Sequence, residues 1–199
     1  AGRRAAVWKT REAVAAEGGL ERAPTTSLPS EELRTLVAVW NARKLGAPLD
    51  DESVSSRKWR WLEDEINAEL PDVLCLLELE GNIATVRQVR KWFRDRGYDT
   101  RIRVGQGSGA LEEATSFANG VLVAVRKATS KIAHGFAVTD RGVCVRIWHR
   151  HCMRERSYVA LHGTGNMDKQ VRVAIETVGD TGGLVLGDLN LIACKCMRY

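Results

Sequence analysis

No apolar run in this 199-residue sequence approaches the roughly 20 residues that a membrane-spanning helix requires, so such a helix is excluded. An initiator Met and an apolar leader are also missing. The chain opens Ala1-Gly2-Arg3-Arg4, so a processed protein or a piece of a longer polypeptide is expected, in an intracellular setting that includes the nucleus. The five cysteines (Cys75, Cys144, Cys152, Cys194 and Cys196) form an odd, scattered set with no disulfide framework. Cys75 stands in an apolar run, where a buried free thiol is expected. No internal repeat is present. What is there is an ordinary globular balance, 44% hydrophobic and 28% charged, in a length that suits one domain. Val, Leu, Ile and Trp are abundant enough to offset the entropy of ordering, which excludes disorder throughout. The net charge of +5 is compatible with nucleic acid without establishing it.

Residues 1–34 read as an arm and linker, partly disordered, and 35–199 as the domain proper. From Leu36 onward, short apolar runs alternate with amphipathic segments. Leu36–Trp40 and Val73–Leu77 are buried strands. Between them lies a helix over 56–69, capped by Ser55 or Ser56, with Trp59, Leu62 and Ile66 on one face and Pro71 as its stop. Asn82 caps a second helix through Ile83, Val86, Val89 and Phe93, ending at Gly97. Strands are expected near 100–104, 120–125, 132–138 and 143–147, then over Ser157–Leu161. A third helix runs from about Met167 to Val178, and Gly183–Gly187 is the last apolar run. Strands apolar on both faces imply covered sheets, hence a layered α/β or α+β sandwich.

Four runs end in a group suited to a cation or a phosphate: Asn41, Glu78, His162, and Asp188 with Asn190. Alone, Asn41, Asp188 and Asn190 are ordinary turn residues, Glu78 a solvated strand-end charge and His162 a satisfied structural ring. Together, at the rims of rigid strands, they converge on one cleft. Glu78 and the Asn41 amide oxygen are hard donors for a partly hydrated Mg²⁺ or Mn²⁺. Asp188 can orient or deprotonate water, Asn190 shares its side of an extended chain, and His162 can donate to a phosphoryl oxygen. These are the parts for metal-assisted attack of water on a phosphate ester.

In this order the motifs resemble those of the endonuclease/exonuclease/phosphatase superfamily, in its deoxyribonuclease-like and retrotransposon endonuclease-like branches. Val39–Asn41 (VWN), Pro71–Glu78 (PDVLCLLE), Asn119–Val125 (NGVLVAV), Tyr158–His162 (YVALH) and Leu186–Asn190 (LGDLN) carry the match across about residues 35 to 190. The resemblance implies a four-layer sandwich of two packed β-sheets flanked by helices, here cut before its last strands, with the site where the sheets meet. It implies a Mg²⁺ ligand at Glu78 assisted by Asn41, water positioned by Asp188, phosphate held by Asn190 and a phosphoryl contact from His162. Leu77 replaces the family's usual Gln and Leu189 its usual aromatic. A further Ser-Asp-His motif of the family is missing from the sequence, so this fragment is expected to have little or no activity.

The segment Arg141–Arg156 holds five arginines (Arg141, Arg146, Arg150, Arg154 and Arg156) around Trp148, a hairpin suited either to a phosphate backbone or to solvent. The expected substrate is therefore DNA or RNA, for a monomer or part of a larger polypeptide. The alternatives are a phosphoinositide or sphingomyelin phosphoesterase of the same fold, and a non-catalytic nucleic-acid-binding remnant. A zinc site from His149, His151, Cys152, Cys194 and Cys196 has the wrong spacing, and Gly105–Gly109 lacks the Lys-Ser/Thr of a phosphate loop. The tryptophan pairs on the helices read as core.

Overall fold

The computed structural model describes residues 35–49, 53–104, 116–139, 141–163, 167–179 and 182–188. The arm over 1–34, the glycine-rich stretch at 105–109, Asn190 and Cys194–Tyr199 lie outside the described residues. Along the described residues the order is β1 (Val37–Leu45), α1 (Val54–Glu69), β2 (Val73–Gly81), α2 (Ile83–Asp95), β3 (Tyr98–Arg103), β4 (Phe117–Arg126), β5 (Ser130–Thr139), β6 (Gly142–His149), β7 (Arg154–His162), α3 (Met167–Val178) and β8 (Leu184–Asp188). They build two sheets, ordered β1-β2-β4-β3 and β5-β6-β7-β8. The β1–β2 and β7–β8 pairs are parallel, and the other pairs are antiparallel.

The side-chain period of two explains the layers. On β2, Val73, Cys75 and Leu77 meet Val121, Val123, Val143, Val145, Ile147 and Tyr158 between the sheets. The intervening Leu74 and Leu76 pack outward against Trp59, Leu62 and Ile66 of α1 and Val86, Val89 and Phe93 of α2. On the far side, Cys144, Val159 and Leu161 pack on Ala174 of α3. Three cores separate four layers, so the central strands are apolar on both faces. This is the expected sandwich.

The helix starts follow side-chain capping. Asn82 forms a capping box with Thr85, as expected. For α1 the cap is Ser53, whose hydroxyl accepts from the Ser56 N–H at 3.1 Å, rather than Ser55 or Ser56. Ser56 is buried and spends its own hydroxyl on the Leu49 carbonyl (2.7 Å), so it cannot serve as the cap. The tryptophans are core as expected: Trp59 lies 4.7 Å from Trp92 and donates its indole N–H to the Gly46 carbonyl. On the helices Trp92 is half-buried and Trp61 is exposed, packed against Trp40.

The end of the sandwich where β1 and β2 begin is closed by polar groups. Buried Asp72 accepts from the Leu36 N–H, the Arg126 guanidinium and the Thr129 hydroxyl (2.8, 2.7 and 2.6 Å). Nearby, buried His149 bonds Ser130 through Nδ1 (2.9 Å) and Tyr158 through Nε2 (2.8 Å), so it cannot be a zinc ligand as it stands. The neutral ring satisfies both neighbours, one nitrogen donating and the other accepting.

Burial, with smaller contributions from His151 and Arg156, lowers the His149 pKa from 6.5 to about 4. The unfolded chain therefore binds this proton more readily than the folded one. Stability is fully present above about pH 6.5 and falls as the pH drops toward 4, by about 3 kcal/mol over that window. Urea unfolding between pH 7.5 and 4 should show that decline, and His149→Asn should flatten it. An equal decline in the variant would place the acid sensitivity elsewhere.

Candidate active site

The ends of the two parallel pairs meet across the sandwich. Asn41 donates its Nδ2 to Oε1 of Glu78 at 2.8 Å, and His162 donates its Nε2 to the same oxygen at 3.2 Å. Three of the residues singled out in the sequence, from three strands and both sheets, thus converge on one carboxylate. The backbone of Asp188 pairs with His162 in the β7–β8 ladder, one strand spacing away, roughly 4.8 Å. Asn190 lies outside the described residues.

Glu78 reaches this position because β2 is irregular. The β2–β4 register shifts between Leu77 and Leu79, and Glu78 has a left-handed φ of 61°. Unbroken alternation would turn Glu78 outward with Leu74 and Leu76. The bulge instead gives that outward position to Leu79, which joins the helix-side core, and turns Glu78 to the mouth between the sheets. Left-handed backbone in a residue with a Cβ costs about 1 kcal/mol or more, and such strain is found at functional sites. Leu77, where the resemblance expects Gln, is buried between the sheets.

Asn41 is held from behind. Its Oδ1 accepts from the Arg43 N–H at 3.0 Å, an Asx turn that leads into left-handed Arg43 and Lys44. The amide oxygen expected to face a cation thus has one lone pair taken by the Arg43 N–H, while its Nδ2 holds the Glu78 carboxylate. Sequence reasoning passed over Lys58 of α1. Its Nζ donates to the Ala42 and Arg43 carbonyls at 2.8 and 2.5 Å and clamps this turn. Burial lowers the Lys58 pKa, against the pull of Glu80 and Glu78. Nothing in the local sequence around Arg57-Lys58 marks that role.

His162 is buried, and its backbone N–H is taken by the Arg141 carbonyl at 3.0 Å. Its Nδ1 is buried with no partner among the described residues, a state costing about 1–3 kcal/mol unless another group meets it. Beside it, Gly187 cannot carry a side chain: its φ is 156° and a Cβ would lie 1.9 Å from the Leu161 carbonyl oxygen. Gly187→Ala should therefore cost about 1–3 kcal/mol in thermal unfolding and displace Asp188. An unchanged melting temperature would contradict this account of the β7–β8 pairing.

The five arginines of the hairpin do not form one surface. Arg141 stands at the mouth beside His162. Arg146 lies mid-strand with a buried Nε, and Arg150 and Arg154 sit at the opposite end of β7, roughly 26 Å away by strand rise.

No family model matches the sequence, and no curated protein matches it. Solved structures do match. The human Nocturnin catalytic domain with bound sulfate is 19% identical, covers 78% of this chain with 63% of its own, and superposes with a TM-score of 0.55. D. rerio TDP2 complexed with a single-strand DNA product gives 19%, 78%, 60% and 0.55. An endonuclease/exonuclease/phosphatase from Bacteroides vulgatus gives 16%, 78%, 65% and 0.53. The chain has the endonuclease/exonuclease/phosphatase fold. It spans 60–65% of the length of these three structures.

On this fold the mouth offers a cation hard donors. Both bonds to Glu78 fall on Oε1, which leaves Oε2 with no partner among the described residues, on a side chain 22% exposed. Among the described residues no three His, Cys, Asp or Glu side chains gather as a ready-made cage. One carboxylate with much of the coordination left to water and substrate suits Mg²⁺ or Mn²⁺ and not a structural zinc.

Proposed function

We propose that this chain is a phosphodiester hydrolase domain that uses Mg²⁺ or Mn²⁺ and acts on nucleic acid. The observation that carries the proposal is the strained, bulged Glu78, bonded by Asn41 from its own sheet and by His162 from the other. The same bulge seats Leu79 in the helix-side core, but the strained residue itself is a carboxylate turned to the mouth, and strain of this kind clusters at ligand sites.

In this reading Glu78 holds the cation and Asn41 orients the carboxylate. The bound ion supplies charge neutralisation and a more acidic water. Asp188 orients the attacking water and takes its proton as the new P–O bond forms and the ester oxygen leaves. Asn190 holds the phosphate. His162, its backbone N–H held by the Arg141 carbonyl, shares its Nε2–H between Glu78 and the phosphoryl oxygen on which charge develops. Nucleic acid is favoured over a lipid phosphoester by the single-strand DNA product held by the TDP2 neighbour, and the net charge of +5 is compatible with either.

Because the chain spans only part of its neighbours' length, the decisive measurement is ion binding rather than turnover. Titration calorimetry with Mg²⁺ and Mn²⁺ should show one saturable site that EDTA abolishes. Oligonucleotide binding unaffected by EDTA, with no ion bound, would leave a non-catalytic binding module instead.

A further inference from the structure

The helix α2 carries Arg87, Arg90, Lys91 and Arg94 at i, i+3, i+4 and i+7, which places all four on one face. The flanking face, Val86, Val89 and Phe93, is fixed in the core. The four cations are exposed, and among the described residues Arg87, Arg90 and Lys91 have no carboxylate partner. Along α2 runs β3, the free edge of its sheet, and the Arg101 guanidinium curls to the Thr100 carbonyl at 3.1 Å. Between helix and strand lies an open groove of about 370 Å³, lined by Arg90, Arg94, Tyr98, Asp99, Thr100 and Arg101. Its one carboxylate, Asp99, is paired with Lys127 at 3.4 Å.

Basic residues on an edge strand also serve to prevent edge-to-edge pairing. That explanation covers Arg101 but not the α2 cations, which lie off the strand and join it around a concavity. We propose that the α2–β3 groove and the basic face of α2 bind the sugar-phosphate backbone of a nucleic acid whose scissile phosphate sits at Glu78 and His162. The substrate class rests on the function proposed above.

The register connects the two places. Arg103, two residues beyond Arg101, aligns through Val121 with Leu77, the neighbour of Glu78. Two strand spacings, roughly 10 Å, therefore separate Arg103 from the Glu78 strand, and the groove begins roughly 7 Å further along β3. The path to the near edge of the groove at Arg101 is about 12 Å, or roughly four nucleotides at 3.4 Å each, and the groove then runs roughly 10 Å further to Tyr98. Arg103 stands on that path with its Nε buried and unpartnered among the described residues. The Arg150 and Arg154 turn belongs to the other sheet, at the end of the sandwich where β3 begins and away from Glu78, so it tests whether basic charge at that end suffices without the groove.

Fluorescence anisotropy with a short labelled oligonucleotide, single-stranded and duplex, tests the surface across a salt series. The variant Arg90→Ala/Arg94→Ala/Arg101→Ala should lose about tenfold or more in affinity. Its slope of log K against log salt should flatten by about 0.7–0.9 per phosphate contact removed. The control Arg150→Ala/Arg154→Ala should bind as the parent does, with thermal melts confirming that both variants fold. Three results would each overturn the proposal: parental affinity and slope in the first variant, lost binding in the control, or a parent that binds anionic vesicles and no oligonucleotide. Divalent-ion binding at Glu78, read separately by calorimetry, distinguishes failure of this surface from failure of the hydrolase reading.

Discussion

Glu78→Gln should erase divalent-ion stabilisation while changing the metal-free melting temperature little. Gln keeps an acceptor for Asn41 and His162 and loses the charge that a hard cation requires. Saturating an ion site at about a hundred times its Kd stabilises the native state by about 2.7 kcal/mol. For a domain of this size that is a rise in Tm of about 5–10 °C, present in the parent and absent in the variant. Thermal unfolding with Mg²⁺, Mn²⁺ and EDTA reads it directly. A variant stabilised by Mg²⁺ as fully as the parent would remove Glu78 from any ion site. An accompanying Asn41→Ala should weaken the ion effect without abolishing it, because Asn41 orients the carboxylate and its own oxygen is engaged by Arg43.

That outcome for Gln would locate the function in charge rather than in packing. Glu78 occupies a left-handed backbone that Gly or Asn would adopt with less strain. A carboxylate at that position is a stability cost borne by the bulge, by the Lys58 clamp on the neighbouring turn and by the two hydrogen bonds to Oε1. Proteins tolerate such costs where a ligand offsets them.

The sandwich was legible because burial on both faces writes itself into a run such as Val73–Leu77. The helices were legible through the spacing of Trp59, Leu62 and Ile66. The rim residues Asn41, Glu78 and His162 were visible as polar groups at the ends of apolar runs. How they meet was not. A β-bulge is a shift of register against a partner strand, and nothing in Leu77-Glu78-Leu79 announces that alternation breaks there. Linear density also misled about charge. The five arginines of 141–156 are close in sequence, but a hairpin sends them to opposite ends and both faces of a sheet. The α2 cations look less concentrated along the chain, yet helical spacing gathers them on one surface. Lys58 acts through two backbone carbonyls of a distant strand, a contact that only the folded chain creates.

Asp72→Ala should be strongly destabilising, at about 3–5 kcal/mol, without touching the ion site. In the sequence Asp72 belongs to the same PDVLCLLE motif as Glu78, and a motif-level reading would give both to the chemistry. The structure separates them. Asp72 precedes β2 and Glu78 stands near its far end, so the length of a strand lies between them. Asp72 is 4% exposed and ties together the start of β1 through Leu36, the end of β4 through Arg126, and the turn into β5 through Thr129. Its own carbonyl accepts the Arg126 N–H as well. Removing the carboxylate strands a guanidinium whose Nε is already buried without a partner among the described residues, and leaves the Leu36 N–H unmet. Asp72→Asn should cost less, since an amide oxygen still accepts one or two of these bonds, but it cannot neutralise Arg126. Urea unfolding should rank the parent above Asn and Asn above Ala, while the Mg²⁺-induced rise in Tm persists in whichever variant remains folded. If Asp72→Asn instead kept parental stability and lost the ion effect, the two halves of the motif would be one site after all, and Glu78 could not be treated as the ligand on its own.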